Sequence, residues 1–374
     1  MRINQKASSA TQSVLFMESS MNIGGQELQL LQQMSVLQQQ GWAVSLLCKT
    51  GSRIEAFAKA RGLDVDTIRF RNALHIPSIL QVRRHLQQFK PAAVIVHSGH
   101  DANIGAIACH SLGRRRPMIV RMRTYQPGIP NSFPYQYLFD YTLACSAHLR
   151  ERILKNTRID REKVGVLYPG IDFAGLEEGA SDTPLPANAE RWLADRPGPV
   201  VLQAAMLREE KGHSVILDAL PEVLQKHPDV RYLIAGEGPL SEHLKEKIAE
   251  KGLQDHVCLL GMVNPIGGLL RRADLAILPS LMEPFGMFQI EALNLGIPTI
   301  ASNVDGIPET MTDREDGLLV EPGNPAAWAQ ALVWALDHPE IMRAWAEHGR
   351  QKNRLRFSLG QNTTQLIELI TRGR

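Results

Sequence analysis

The residues Glu283-Pro-Phe-Gly-Met-Phe-Gln-Ile-Glu291 place two carboxylates on either side of a glycine that opens an apolar, helix-competent run. The preceding Leu275-Ala-Ile-Leu-Pro279-Ser280 reads as a buried parallel strand, so Glu283 falls in the loop at its carboxyl end and Met287 to Leu295 in the helix that follows. Gly286 lets the backbone approach a ligand, and the free N–H groups of Met287 and Phe288 can hold a phosphate with help from the helix dipole. Two carboxylates beside such a site would repel a bare phosphate. They suit vicinal hydroxyls, because an ionised carboxylate accepts from two O–H groups, and the combination describes a sugar nucleotide.

Further candidates stand at the ends of other apolar runs. Ala205-Met206-Leu207-Arg208-Glu209-Glu210-Lys211-Gly212-His213 puts Lys211 where it can neutralise a leaving diphosphate, with Arg208 the nearest guanidinium. Ile23-Gly24-Gly25-Gln26-Glu27 begins a helix after the opening strand, a place for close approach to phosphate or sugar, or simply a tight turn. His97 and His100-Asp101 close the strand Ala93 to Val96; either histidine can contact an acceptor hydroxyl or assist its deprotonation, or be satisfied at a strand end. Arg121 and Arg123 end the next run and suit an anionic acceptor or developing phosphate charge.

Two signals are set aside. Asp64-Val65-Asp66 imitates an Asp-x-Asp metal site but reads as a surface linker before a strand, and no metal is expected. Gly236-Glu237-Gly238 lacks the further glycine of a dinucleotide fingerprint and reads as a turn.

These residues need a scaffold of parallel strands and crossover helices. Strand runs at Val14–Met17, Val44–Cys48, Ala93–His97, Met118–Met122 and Leu143–Cys145 alternate with amphipathic stretches such as Glu27–Gln40 and Pro77–Gln88. After residues rich in Ala, Pro, Gly and charge, the alternation restarts at Val200–Ala204, Arg231–Ala235, Val257–Leu260, Leu275–Leu278, Thr299–Ala301 and Leu318–Val320. The division is an amino-terminal domain over 1–176, a linker over 177–198, a second domain over 199–353 and a final helix over 354–374 that docks back on the first. Two doubly wound units facing one another would gather these strand ends around one cleft.

The 374 residues, 44% hydrophobic and 21% charged, fit a soluble protein of two cores. No apolar run approaches the roughly 20 residues of a membrane span, and the polar start suggests a cytoplasmic protein. Cys48, Cys109, Cys145 and Cys258 lie far apart inside or beside apolar runs, as reduced core residues do. Residues 1–176 hold 22 Lys and Arg against 11 Asp and Glu, a net +11 that leaves −9 for the rest of a chain totalling +2. The basic half suits an anionic acceptor or phospholipid surface, or is solvated surface charge; nucleic acid is not expected.

Glu283 to Glu291, followed by Ala292-Leu-Asn-Leu-Gly296-Ile-Pro298 and Ser302-Asn-Val-Asp-Gly306-Ile-Pro308-Glu309, resembles the family 4 retaining glycosyltransferases of the GT-B fold over nearly the whole chain. The resemblance implies an α/β fold of two Rossmann-like domains facing a central cleft, with donor bound by the second and acceptor by the first. By it, Glu291 holds the ribose hydroxyls, Glu283 those of the transferred sugar, and the backbone at Gly286 to Phe288 the diphosphate. Pro284, Phe285, Gly24, Gly25, Gly236, Arg208 and Lys211 complete the donor site, and His100, Asp101, Arg121 and Arg123 the acceptor site. Glu283, Lys211, Arg208 and His97 are the catalytic candidates. The co-substrate is a nucleotide-diphosphate sugar, with UDP favoured over GDP and no other cofactor. The acceptor is a glycan or lipid-linked glycan of lipopolysaccharide or surface-polysaccharide synthesis, with peripheral contact at the inner membrane.

Two departures stand out. Met206 occupies the family's customary arginine position, so Arg208 reaches in from a shifted backbone, or Lys211 acts alone, or activity is weakened. Where many relatives carry a histidine, this chain reads Arg121-Met-Arg123-Thr124-Tyr125. These departures keep open a non-catalytic sugar-nucleotide binding protein, and the doubly wound pattern leaves a nicotinamide-dependent dehydrogenase as a third alternative.

Overall fold

The computed structural model describes residues 12–72, 74–194 and 196–372. The chain forms two compact units, Met1–Gly170 with Leu359–Arg374, and Ile171–Ser358.

The first unit runs β1 (Ser13–Glu18), α1 (Gly25–Gln39), β2 (Ala43–Lys49), α2 (Arg53–Ala60), β3 (Asp64–Ile68), α3 (Ile76–Phe89), β4 (Ala93–Val96), α4 (Gly99–His110), β5 (Met118–Arg123), β6 (Tyr141–Ala144), α5 (Ala147–Leu154) and β7 (Val164–Val166). Its parallel seven-stranded sheet has the order β3-β2-β1-β4-β5-β6-β7. Helices cover both faces, so the central strands are apolar on both: every residue of β1 and of β4 is buried.

The second unit runs α6 (Phe173–Asp182), α7 (Ala187–Ala194), β8 (Val200–Ala204), α8 (His213–Lys226), β9 (Arg231–Ala235), α9 (Ser241–Glu250), β10 (Val257–Gly261), α10 (Gly267–Arg272), β11 (Leu275–Leu278), α11 (Met287–Asn294), β12 (Thr299–Ser302), β13 (Leu318–Val320), α12 (Pro325–Asp337) and α13 (Pro339–Arg356). Its six parallel strands have the order β10-β9-β8-β11-β12-β13. In both sheets the sequence direction reverses beside the opening strand, at β1/β4 and at β8/β11. Open parallel sheets bind ligands outside the carboxyl ends of such strands.

Three segments differ from the sequence reading. Asp64-Val65-Asp66 is no linker but the start of β3, an edge strand whose two aspartates face solvent while Ile68 is buried. The three-residue β7 is too short to give a pattern. The expected linker over 177–198 contains most of α6 and all of α7. Its alanines, read as linker composition, favour helix. They also permit close packing: a Cβ added at Gly267 of α10 would lie 2.6 Å from the Ala180 backbone.

The last helix, α14 (Leu359–Arg372), belongs to the first unit. Leu366 and Ile370 join the core formed by Leu30, Leu31, Met34 and Leu37 of α1. The buried Gln33 amide donates to Asn362 Oδ1 at 2.8 Å, and Asn362 Nδ2 donates to the Tyr168 carbonyl at 2.6 Å. Among the described residues no helix is long and apolar enough to cross a membrane.

Candidate active site

Because β8 and β11 are neighbours, the loops leaving their carboxyl ends meet although their key residues are far apart in sequence. Lys211 Nζ donates to Glu283 Oε2 at 2.7 Å, with 22% and 12% of the two side chains exposed. Ser280 Oγ donates to the same oxygen at 3.3 Å. The lysine loop is pinned from inside the unit. The Gln203 amide donates to the Lys211 carbonyl at 2.8 Å, and the buried Tyr232 hydroxyl donates to Gln203 Oε1. Glu283 is held through its backbone, its N–H donating to Asp305 Oδ2 at 3.0 Å and its carbonyl accepting from Gly306 N at 3.1 Å. Asp305 adopts a left-handed φ of 46°, a conformation that side chains other than Asn and Asp seldom take.

Gly286 caps α11 at a φ of 83°, and a Cβ there would lie 2.4 Å from the Gln289 side chain. Phe285 and Phe288 are buried, Phe285 packing edge-on against Phe357 at 5.3 Å between ring centres. Their side chains therefore serve the core, and any donor contact here is through the backbone of residues 286–288 and beside Pro284. Glu291 lies one turn into α11 and keeps some surface open. Its carboxylate has no partner among the described residues, and desolvation pushes its pKa up to about 7.

Arg208 begins the turn that carries Lys211, with its Nη1 a loose 3.8 Å from Glu210 and its side chain 43% exposed. Met206 is also exposed. At the end of β9, Gly236 has a φ of 154°, and a Cβ would come within 1.9 Å of the Ala205 carbonyl. This glycine lets the turn after β9 lie against the β8 loop.

In the first unit, Gly24 caps α1 and donates its N–H to Glu27 Oε2 at 2.8 Å, leaving Gly25 exposed at the first turn. His97 is buried. Its Nδ1 faces the Met17 carbonyl at 3.1 Å, and since a carbonyl only accepts, the ring proton sits on Nδ1 and Nε2 is an acceptor. Burial lowers its pKa to about 4, so the imidazole stays neutral and weakly basic at physiological pH. His100 is exposed in the first turn of α4.

Asp101, expected among the acceptor contacts, is wholly buried. Its carboxylate accepts from His97 N at 2.8 Å, Ser98 N at 3.2 Å and Ser19 Oγ at 2.7 Å, tying the ends of β1 and β4 together. Burial raises the pKa of Asp101 and that of its neighbour Glu18. Arg121 and Arg123 lie two residues apart on β5, hence on one face. The Arg121 guanidinium sits 4.9 Å from the Phe139 ring centre, and Arg123 Nη2 donates to Gln126 Oε1 at 2.5 Å.

Several supporting residues carried no sequence signal of their role. Gln203 and Tyr232 brace Lys211, while Gln26 links Glu18 to Thr124 through two 2.8 Å hydrogen bonds. Asp305 lay within the matched motif but had no assigned role. No group of three or more His, Cys, Asp or Glu among the described residues is placed to hold a metal ion.

Residues 23–174 match the family described as Glycosyltransferase Family 4, and residues 186–352 that described as Glycosyl transferases group 1. The chain belongs to the family 4 glycosyltransferases, of the GT-B fold. The chain is 32% identical over 216 residues to D-inositol 3-phosphate glycosyltransferase of Segniliparus rotundus, covering 53% of its own length and 47% of that protein. It thus spans about half the length of the curated relatives it matches. A glycosyltransferase from Rickettsia africae has the same fold, with a TM-score of 0.84, 21% identity and coverage of 97% of this chain and 98% of that one. So does Anabaena Alr3699/HepE in complex with UDP and glucose, with a TM-score of 0.82, 19% identity and coverage of 96% and 99%.

Proposed function

We propose that this glycosyltransferase is a retaining hexosyltransferase that moves a sugar from a UDP-sugar, or from a GDP-sugar, to a hydroxyl of a glycan or lipid-linked glycan. The observation that carries the reading is the Lys211–Glu283 pair beside the glycine-capped start of α11. It joins a cation for the departing diphosphate to a carboxylate for the sugar hydroxyls. The UDP and glucose bound by Anabaena Alr3699/HepE support the choice of donor.

In this mechanism Lys211, the α11 amides and Arg208, swung from Glu210, stabilise the diphosphate as it leaves. Glu283 holds the sugar and Glu291 the ribose. The oxocarbenium-like centre is attacked from the face the diphosphate left, which preserves the anomeric configuration. Gly24, Gly25 and Gly236 offer close backbone approach to the donor, and His97 offers Nε2 as a hydrogen-bond acceptor. His100, Arg121 and Arg123 belong to the acceptor side. The roles need no metal or further cofactor.

We place the reaction in lipopolysaccharide or surface-polysaccharide synthesis, in the cytoplasm at the inner membrane. The net +11 over residues 1–176 supports that placement, as do the exposed Ile129, Phe133 and Tyr137 of the first unit. Protein that stays wholly in solution on flotation with anionic vesicles at low salt would remove the membrane from the proposal. A catalytically silent donor-binding protein is the second reading, favoured by Met206 at the customary arginine position.

A screen of UDP- and GDP-sugars by thermal shift, followed by transfer assays and NMR of the product anomer, tests the reading. A stabilising donor and a product with the donor's anomeric configuration are expected. Donor binding without transfer or hydrolysis supports the silent protein, and inversion of configuration rejects the mechanism.

A further inference from the structure

We propose that Arg121 and Arg123 form an oxyanion site at the carboxyl end of β5, and that the acceptor it receives carries a phosphate monoester or a carboxylate. The proposal rests on the reading that the first unit takes the acceptor, and it adds the acceptor's chemical class.

Neither guanidinium has a carboxylate within ion-pair distance among the described residues. Arg123 donates to the neutral Gln126, itself fixed by the Tyr135 hydroxyl at 3.0 Å and by donation to the Pro127 carbonyl at 2.8 Å. Arg121 lies against two rings, with centres 4.9 Å away at Phe139 and 5.9 Å away at Tyr135. The Nε atoms of both arginines are buried without a hydrogen-bond partner.

Asp101 makes no ion pair with either arginine. Both its oxygens are occupied by Ser19, His97 and Ser98, and burial favours its neutral form. Burial, then the neighbouring Arg123, draws the Arg121 pKa down to about 10, and the smaller opposing influences of Tyr135 and Asp101 do not offset them. Half-burying two like charges without a counter-ion is unfavourable, and an anion between them offsets both desolvation and repulsion. Each guanidinium presents a planar fork of donors that matches a carboxylate or a phosphate edge, which a lysine pair would not. Rings beneath Arg121 and the fixed Gln126 beside Arg123 hold those forks in place without neutralising them.

The test begins with UDP, whose thermal shift reports on the donor reading alone. Inorganic phosphate and, separately, glucuronate are then titrated calorimetrically at low salt, with UDP present and absent. One anion per chain is expected with UDP present, bound at least ten-fold more weakly by Arg121→Gln and by Arg123→Gln. It is bound equally by Arg84→Gln, which removes an exposed arginine of α3. Tighter phosphate indicates a phosphate monoester, and tighter glucuronate a carboxylate.

If the glutamine variants do not fold, phenylglyoxal labelling of the wild-type protein read by mass spectrometry serves instead, with protection of Arg121 and Arg123 by the anion expected. Wild-type protein that binds neither anion overturns the proposal, as do glutamine variants that bind within two-fold of wild type or labelling that the anion leaves unchanged. UDP binding with no anion site leaves the donor reading standing alone. An anion site without UDP binding does the reverse.

Discussion

The carboxyl ends of the two sheets treat charge in opposite ways. In the second unit Lys211 and Glu283 neutralise one another at 2.7 Å, each with its backbone held by a side chain, Gln203 or Asp305. In the first unit the carboxyls of Glu18 and Asp101 are buried and favour protonation, while Arg121 and Arg123 have no acidic partner among the described residues. A paired site can exchange partners, each ion moving to a ligand group of opposite need. An unpaired one can only recruit a counter-ion. The difference suits a donor with both an anionic diphosphate and neutral hydroxyls, and an acceptor whose recognition is mainly anionic.

The sharpest way to break the comparison is at the pair. Lys211→Ala should lower kcat about 10²–10³-fold by leaving the diphosphate without its cation. Glu283→Gln should follow closely, and near wild-type turnover in either would remove the pair from the chemistry. Glu291 provides a pH signature. In its proposed role Glu291 accepts from the ribose hydroxyls best when ionised, so the donor KM should fall as pH rises through about 7, and Glu291→Gln should flatten that profile. Burial raises this pKa, so the folded protein holds the proton longer. The contribution of Glu291 to unliganded stability is accordingly full below the ordinary carboxylate range and lost as pH rises through about 7, which the difference between wild type and Glu291→Gln in pH-dependent denaturation can measure.

Asp305→Ala combines a left-handed φ of 46° with loss of the Glu283 contact, and should destabilise by about 1–3 kcal/mol. Asp305→Asn should retain most stability and turnover. The smallest effect belongs to the first unit. With Asp101 favouring its neutral form, Asp101→Asn should cost under about 1 kcal/mol in urea melts. It should also remove the part of the stability that wanes as pH rises through the raised Asp101 pKa.

Much of the scaffold was legible because central parallel strands such as Leu275–Leu278 must be apolar on both faces. β3 and β7 were not, one being a half-exposed edge and the other three residues long. The linker reading failed at α6 and α7 because alanine and charge look alike in an exposed helix and a loop; Ala180 and Ala189 reveal themselves only by packing. The Lys211–Glu283 meeting follows from the switch in strand order, so both residues were visible while their contact depended on topology. Asp101 misled for a related reason: a strand-end aspartate beside a histidine looks the same whether it faces solvent or caps its own helix.

The return of α14 to the first unit orders events during synthesis. The second unit is one continuous stretch, Ile171–Ser358, and can close as soon as that stretch has left the ribosome. The first unit is begun earlier but lacks Asn362, Leu366 and Ile370 until the segment from Leu359 onward is made. The part translated first is therefore the part completed last, and the nascent chain must carry the open apolar face of α1 through translation of the whole second unit.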